Sequence, residues 1–376
     1  MEQLIIIGAG PVGSGAARHA ALRQLNPLII APAEGERATH TVWSSHYDQG
    51  RLTHRSARNV PLARYALEAI TNYRAIEAES GIDFYTPCGT LSLSPEPSGF
   101  SYTQQRADIE AALGFTYVDY TPEQLQRHFP VLSAGLPYHG MYDAAPSGYI
   151  NPRRMVAAQL ACATQRGAIR IDAVVSRLNA QPGYVEITTT AGATYRAEHV
   201  IVAAGAYSGI CGLLPRPEHH TIKGEIITLA EVSAATAQVC AAQPMPSMMV
   251  DCRGDIIEDA YLVPPVQYPD GKYYIKLGSN SNHDPFFDNT HDLRNWIASG
   301  TYTATHEAQV RLLKELFADI DWLSFHSLPC VITRTPSKVP EMPRLHPRVT
   351  ALVGCNGSLA KSGDTIGRVL VEQIYA

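Results

Sequence analysis

The first thirty residues constrain this chain more than anything that follows them. Leu4-Ile5-Ile6-Ile7 is a short apolar run of β-branched character, the pattern of a strand covered on both faces. It runs into Gly8-Ala9-Gly10-Pro11-Val12-Gly13 and then into Ala16-Ala17-Arg18-His19-Ala20-Ala21-Leu22, a helix former's sequence. A second apolar run, Leu28-Ile29-Ile30, closes the unit. Strand, glycine loop, helix and strand in that order form the βαβ unit that holds an adenine dinucleotide. The first glycine allows a sharp turn, the second lets the backbone approach a pyrophosphate, and the third lets the helix pack close to the strand. The helix N-terminus then offers free N–H groups and a positive dipole end to the phosphates. Gly8, Gly10, Val12 and Gly13 are therefore cofactor-binding candidates. An acidic residue at the end of the second strand usually meets the ribose hydroxyls, but here that position is Ala31, which leaves Glu34 or Glu36 for the contact.

Composition narrows the classes. The 376 residues are 45% hydrophobic and 17% charged, as expected of a globular chain with one large or two intimate domains. A formal net charge of −5 without runs of Lys or Arg excludes a nucleic-acid footprint. No apolar stretch is long enough for a membrane span. Met1 leads straight into the first strand without a signal-like segment, which predicts a cytoplasmic protein. The seven cysteines are scattered and never spaced C-x-x-C, so they read as reduced thiols and not as a disulfide framework or metal site. His219-His220 reads as a solvated loop pair. No sequence feature advertises an interface, and monomer and homodimer both remain open.

Residues 35–58 are polar and aperiodic beside the nucleotide loop, as functional loops often are. Helical spacing covers residues 60–78, and Thr121-Pro122-Glu123-Gln124 and Asn151-Pro152 each carry an N-cap before a proline at the first helical position. Strands are expected at 169–175, 184–189 and 199–203, the last ending in the small-residue turn Ala204-Gly205-Ala206-Tyr207. Residues 221–280 read as strand-rich, 305–317 as helix, and 349–353 as a strand. That strand meets Gly354-Cys355-Asn356-Gly357-Ser358-Leu359-Ala360-Lys361, followed by a helix over 364–374. Three glycine-bearing strand ends thus converge on one sheet edge.

This arrangement resembles the FAD-dependent amine and amino-acid oxidases typified by monomeric sarcosine oxidase, glycine oxidase and D-amino-acid oxidase, and most closely the sarcosine oxidase branch. Ser45-His46-Tyr47-Asp48-Gln49-Gly50-Arg51 resembles the segment behind the flavin, which makes Ser44, Ser45, Tyr47 and Arg51 site candidates. Tyr274-Ile275-Lys276-Leu277-Gly278 resembles the strand whose lysine sits over the flavin. Pro329-Cys330-Val331-Ile332-Thr333 resembles the segment whose cysteine, in that branch, bonds covalently to the flavin. Residues 354–361 resemble the loop whose lysine holds the substrate carboxylate, adding Gly354, Gly357, Ser358 and Lys361. Tyr261 matches a tyrosine of the substrate pocket. The arginine expected three residues after Arg51 is replaced by His54, with Arg55 next to it, so the second carboxylate contact falls to one of these or is made differently. Ile332 and Ser358 also depart from the family pattern, which argues against sarcosine itself as substrate.

The resemblance implies an α/β and mixed fold: a discontinuous Rossmann-like FAD-binding domain (residues 1–85, 146–220 and 325–376) and a sheet-based substrate domain (86–145 and 221–324). It implies FAD, free or tethered through Cys330, and a small carboxylate-bearing amine that gives a hydride to flavin N5 and becomes an imine while O₂ is reduced to H₂O₂. Lys276, Arg51 and Tyr47 are then the catalytic candidates. Transfer of electrons to an acceptor other than oxygen, and a tailoring oxidase for an unusual heterocyclic acid, are the alternatives.

Overall fold

The structure is a computed structural model and describes residues 1–97, 105–214, 220–243 and 245–375. Its first sheet is built on the opening unit. The strand Glu2–Ile7 lies between Leu28–Ile30 and Thr194–Val202 and is parallel to both. Ile169–Ile171 extends the sheet beyond Leu28–Ile30. Thr194–Val202 divides its far edge. Its first half pairs antiparallel with Val185–Thr189, and its second half pairs parallel with Val349–Ala351. The C-terminal strand therefore enters the sheet beside the N-terminal unit.

Period-two geometry sends Leu4 and Ile6 to one face and Ile5 and Ile7 to the other, and all four are buried. Helices Pro11–Leu22 and Gly363–Tyr375 cover the first face and meet there backbone to backbone. A Cβ on Gly15 would lie 2.6 Å from the Gly363 carbonyl oxygen, and one on Gly367 would lie 2.2 Å from the Ala16 nitrogen. Arg18 and Asp364 form a buried ion pair at 2.6 Å beside that crossing, locking the last helix to the first.

The second sheet runs from Thr221–Val232 through Tyr273–Ser281, Ile257–Gln267, Ser247–Asp251 and Thr90–Ser94 to His139–Asp143. Trp322–Arg334 pairs with Thr221–Val232 along almost its whole length. Helix Thr303–Leu316 packs on the outer face through Leu312, Leu313 and Leu316. The inner face looks toward the first sheet. The expected α/β and mixed architecture is the one observed, with a small third sheet of Arg51–Thr53, Gly148–Ile150 and Tyr85–Thr86 beside the two large ones.

Local signals translated well where a cap or a proline set them. Thr121 closes a full capping box on helix Pro122–His128, and the Asn151 side chain caps Pro152–Gln165. The first helix starts at Pro11, earlier than its alanine run, because proline at the first helical position needs no hydrogen-bond partner. Three readings need correction. Residues 169–175 are not one strand: Ile169–Ile171 and Val175–Ala180 lie at opposite ends of the sheet. Helix Ala234–Ala242, capped by Ser233, interrupts the strand-rich region. His220 is buried, not solvated, while His219 lies outside the described residues. Among the described residues no helix is long and apolar enough to cross a membrane.

Candidate active site

A cavity of about 950 Å³ runs between the two sheets, from the glycine loop to the inner face of the second sheet. The three glycines of the opening loop do different work. Gly8 has φ +101°, and a Cβ there would lie 2.5 Å from the Ala203 carbonyl oxygen. A Cβ on Gly13 would lie 2.0 Å from the Gly8 carbonyl oxygen. Both positions are closed by the protein's own backbone. Gly10 is open instead: its hypothetical Cβ comes no closer than 3.9 Å to Ser44 Oγ and His46 Nδ1. Gly10 also caps the first helix without any side-chain bond to the free N–H groups. The cradle thus has room and donors for an anionic group.

Glu34 lines the cavity and pairs with Arg153 at 2.5 Å, whereas Glu36 is exposed and lies off the cavity wall. Ser44 and Ser45 line the wall beyond the loop. Ser44 Oγ and His46 Nδ1 are 2.5 Å apart, and burial with nearby arginines pushes the His46 pKa down to about 3, so the ring is neutral. Tyr47 stands at the wall, edge-on to Trp43 and under the Arg153 guanidinium.

Arg51, Tyr268 and the buried Asp48 and Lys276 meet in the middle of the site. Arg51 reaches Asp48, the Ser45 carbonyl at 3.1 Å and Cys330 Sγ at 3.6 Å. The Asp48 carboxylate also receives Lys276 Nζ and, at 2.9 Å, the Tyr268 hydroxyl. Lys276 is 1% exposed, donates in addition to the Gly50 carbonyl at 2.9 Å, and sits 5.2 Å from the Tyr261 ring centre. Tyr261 lines the cavity and Lys276 does not, so the lysine stands behind the tyrosine with its charge matched by Asp48. Asp48 raises the Arg51 pKa well above its ordinary value, while burial holds the Cys330 thiol above its own despite the guanidinium beside it.

Lys361 points into the far end of the cavity. Its Nζ lies 2.9 and 3.0 Å from the two ring nitrogens of His54 and donates to the Ser56 carbonyl at 3.0 Å. Burial lowers its pKa to about 7, and burial together with the Lys361 charge holds His54 well below its ordinary value. Gly357 and Ser358 line the approach to Lys361. Gly354, at φ +70°, lies behind them against Thr335, where a Cβ would come within 2.3 Å of a methyl carbon.

Arg55 is corrected. It does not line the cavity, because its guanidinium is bound to Asp143 at 2.5 and 2.9 Å and stacks 3.6 Å from the Phe115 ring centre. Reading the sequence alone also missed groups the structure brings in. Asp48 was visible only as part of a segment, and nothing local marked it as the counter-ion of Lys276. Glu225, Asp259, Asn280 and Arg334 line the cavity from the second sheet. Charged residues at 223 and 225, in the first half of strand Thr221–Val232, were the available signal.

Residues 3–373 match the family of FAD dependent oxidoreductases. The chain belongs to that family. It is 27% identical over 205 residues to N-methyl-L-tryptophan oxidase of Yersinia pestis (strain Pestoides F), covering 54% of this chain and 53% of the relative. The chain thus spans about half the length of the curated relatives it matches. Its fold is similar to that of NikD, an amino acid oxidase essential for nikkomycin biosynthesis (TM-score 0.76, 17% identity, 100% of this chain and 94% of that one). It is also similar to glycine oxidase from Geobacillus kaustophilus (TM-score 0.72, 16% identity, 99% and 94%). As an FAD-dependent oxidoreductase the chain has a matching site: the open side of Gly10 and the uncapped helix start suit the pyrophosphate, and the cavity continues past Arg51 and Cys330.

Proposed function

We propose that the chain is an oxidase of a small amine that carries a carboxylate, either an amino acid or an N-alkyl or cyclic imino acid. FAD, when bound, supplies the hydride acceptor for oxidation of the amine to an imine and returns the electrons to O₂ as H₂O₂. The observation that carries this reading is Lys361. It is a buried amine on the cavity wall whose pKa burial lowers to about 7, and among the described residues no carboxylate lies within ion-pair distance of it. Such a lysine is costly unless an anion completes it, and a substrate carboxylate does so.

The remaining roles follow from the same reading. His54, held neutral, accepts from Lys361 and orients its ammonium. Tyr261 walls the substrate end, and Arg51, with Tyr47 nearby, places positive charge and a hydroxyl along the flavin side. Lys276 supports charge developing as oxygen is reduced, tempered by Asp48. Cys330 is the tether candidate, with Arg51 within reach to favour its thiolate. Residues 1–85, 146–220 and 325–376 form the cofactor part and 86–145 and 221–324 the substrate part, with strand Trp322–Arg334 hydrogen-bonded in the second sheet while it carries Cys330 to the cavity. The seven free cysteines fit a cytoplasmic monomer or homodimer.

The test is anaerobic bleaching of the purified yellow protein with a panel of amino and imino acids, then peroxide assay on readmission of air. Bleaching followed by stoichiometric peroxide is expected. A flavin that dithionite reduces but no amine bleaches would overturn the reading. A second reading, a dehydrogenase for another acceptor, is favoured by one observation, the pairing of Lys276 with Asp48. Bleaching without peroxide would select it.

A further inference from the structure

We propose that Glu225 and Asp259 form a second recognition site in this cavity, for a cationic side group carried by the substrate; this rests on the oxidase reading and names its substrate class. Sheet register builds the site. Glu225 is directly opposite Cys330 on the paired strands, and Asp259 is directly opposite Asn280. Side chains paired across strands share a face, so Cys330, Glu225, Asn280 and Asp259 all project from the face that closes the cavity, and all four line it. Tyr261, two residues beyond Asp259, projects the same way.

At this end of the face the acids outnumber the cations bound to them. Lys223 is taken by Asp284 at 2.5 Å and stands 3.4 Å from Glu225. Asn280 donates to Asp259 at 2.7 Å, and its carbonyl oxygen accepts from Lys223 at 2.9 Å and Arg334 at 2.5 Å. Glu225 therefore shares Lys223 with Asp284, and among the described residues Asp259 has no cation within ion-pair distance, while farther along the face Lys276 and Arg51 are both bound to Asp48. Burial raises the pKa of both Glu225 and Asp259, although Lys223 and Arg334 pull the other way. Lys361 lies on another wall of the same cavity with no carboxylate of its own. The cavity thus carries a carboxylate-free lysine at one end and the Glu225–Asp259 pair at another. A substrate with its carboxylate on Lys361 meets carboxylates with its other end, which selects a diamino or guanidino acid over a neutral one.

The experiment separates binding from chemistry. ω-Amino acids without an α-amine (4-aminobutyrate, 5-aminovalerate, 6-aminohexanoate) are compared with their isosteres pentanoate, hexanoate and heptanoate by calorimetry and by perturbation of the flavin spectrum. The wild-type holoprotein is expected to prefer the best ω-amino acid at least tenfold over its isostere. Glu225→Gln and Asp259→Asn should each reduce that ratio while leaving fatty-acid affinity within about twofold, and the second variant covers a failure of the first to fold. No preference in the wild type, or a ratio unchanged in both variants, overturns the proposal. So does an equal loss of anaerobic bleaching by ornithine and norleucine in the variants, which would assign the carboxylates to the α-amine. Failure of every amine to bleach the flavin sinks the oxidase reading instead and leaves the binding ratios to be read on their own.

Discussion

Lys276 donates its buried ammonium to the Asp48 carboxylate, and the same carboxylate receives Arg51 and Tyr268. One acid therefore answers two cations beside the cavity. Removing either partner of a buried pair leaves an uncompensated charge, at about 3–5 kcal/mol. Asp48→Asn strips the counter-ion from Lys276 and Arg51 together, so it should lower thermal stability more than Lys276→Met. The two variants should diverge in chemistry. Asp48→Asn leaves more positive charge by the flavin and should speed reoxidation of the reduced enzyme by O₂, while Lys276→Met should slow it. Stopped-flow reoxidation decides this, and equal rates in both variants would remove Lys276 from the oxygen reaction.

The glycine loop yields a sharper contrast. Gly13→Ala pushes a methyl to within 2.0 Å of the Gly8 carbonyl oxygen, so folding itself should fail. Gly10→Ala meets no protein atom closer than 3.9 Å, and its backbone is extended, with φ −72° and ψ −172°. Its apoprotein should keep the wild-type melting temperature to within about 1 kcal/mol of stability, the usual scale of a lost N-cap preference. FAD affinity should nonetheless fall at least tenfold, measured by flavin fluorescence on dilution. Retained affinity in Gly10→Ala would mean the pyrophosphate lies elsewhere.

These contrasts indicate how far the sequence carries. Gly8, Gly10 and Gly13 were legible because the dinucleotide loop is local, and Asn151 and Thr121 because a cap is written within four residues of the helix it starts. Cys330 beside Arg51 was legible only through the family resemblance. Glu225 and Asp259 were hidden because strand register, not sequence spacing, decides which side chains share a face, and Asp48, in the loop before Arg51, because its partner Lys276 comes from a distant strand. Arg55, one of the alternatives for the second carboxylate contact, is instead bound by Asp143, 88 positions away, a partner no local sequence signal announces. Its replacement by Met should therefore cost stability, on the order of 3–5 kcal/mol, without a selective rise in KM.

The tether should depend on pH. A covalent bond would need the Cys330 thiolate and would leave the ring reduced by two electrons, which O₂ would take up, and burial holds that thiol above its ordinary pKa. The thiolate fraction then rises about tenfold per pH unit across the neutral range. Apoprotein mixed with FAD should accumulate acid-stable yellow colour faster at pH 9 than at pH 7, and Arg51→Met should slow it throughout. Colour that leaves the acid pellet at every pH excludes a covalent bond.

Lys361 gives the last dependence. Its pKa of about 7 in the free protein lies below the ordinary 10.5, so between those values the unfolded chain binds a proton that the folded chain has released. Stability of the apoprotein therefore gains from this group as pH rises from about 7 toward 10.5, and the gain is absent below about 7. Binding of a carboxylate reverses the preference, because the anion favours the ammonium and binding takes a proton up. Affinity for hexanoate should be flat below pH 7 and fall above it, approaching tenfold per unit while the complex stays protonated. Flavin-monitored titrations from pH 6 to 9, with calorimetry in buffers of different ionisation enthalpy to count the proton, provide the check. Lys361→Met should bind hexanoate weakly and without pH dependence, and an unchanged slope in that variant would assign the titration to another group.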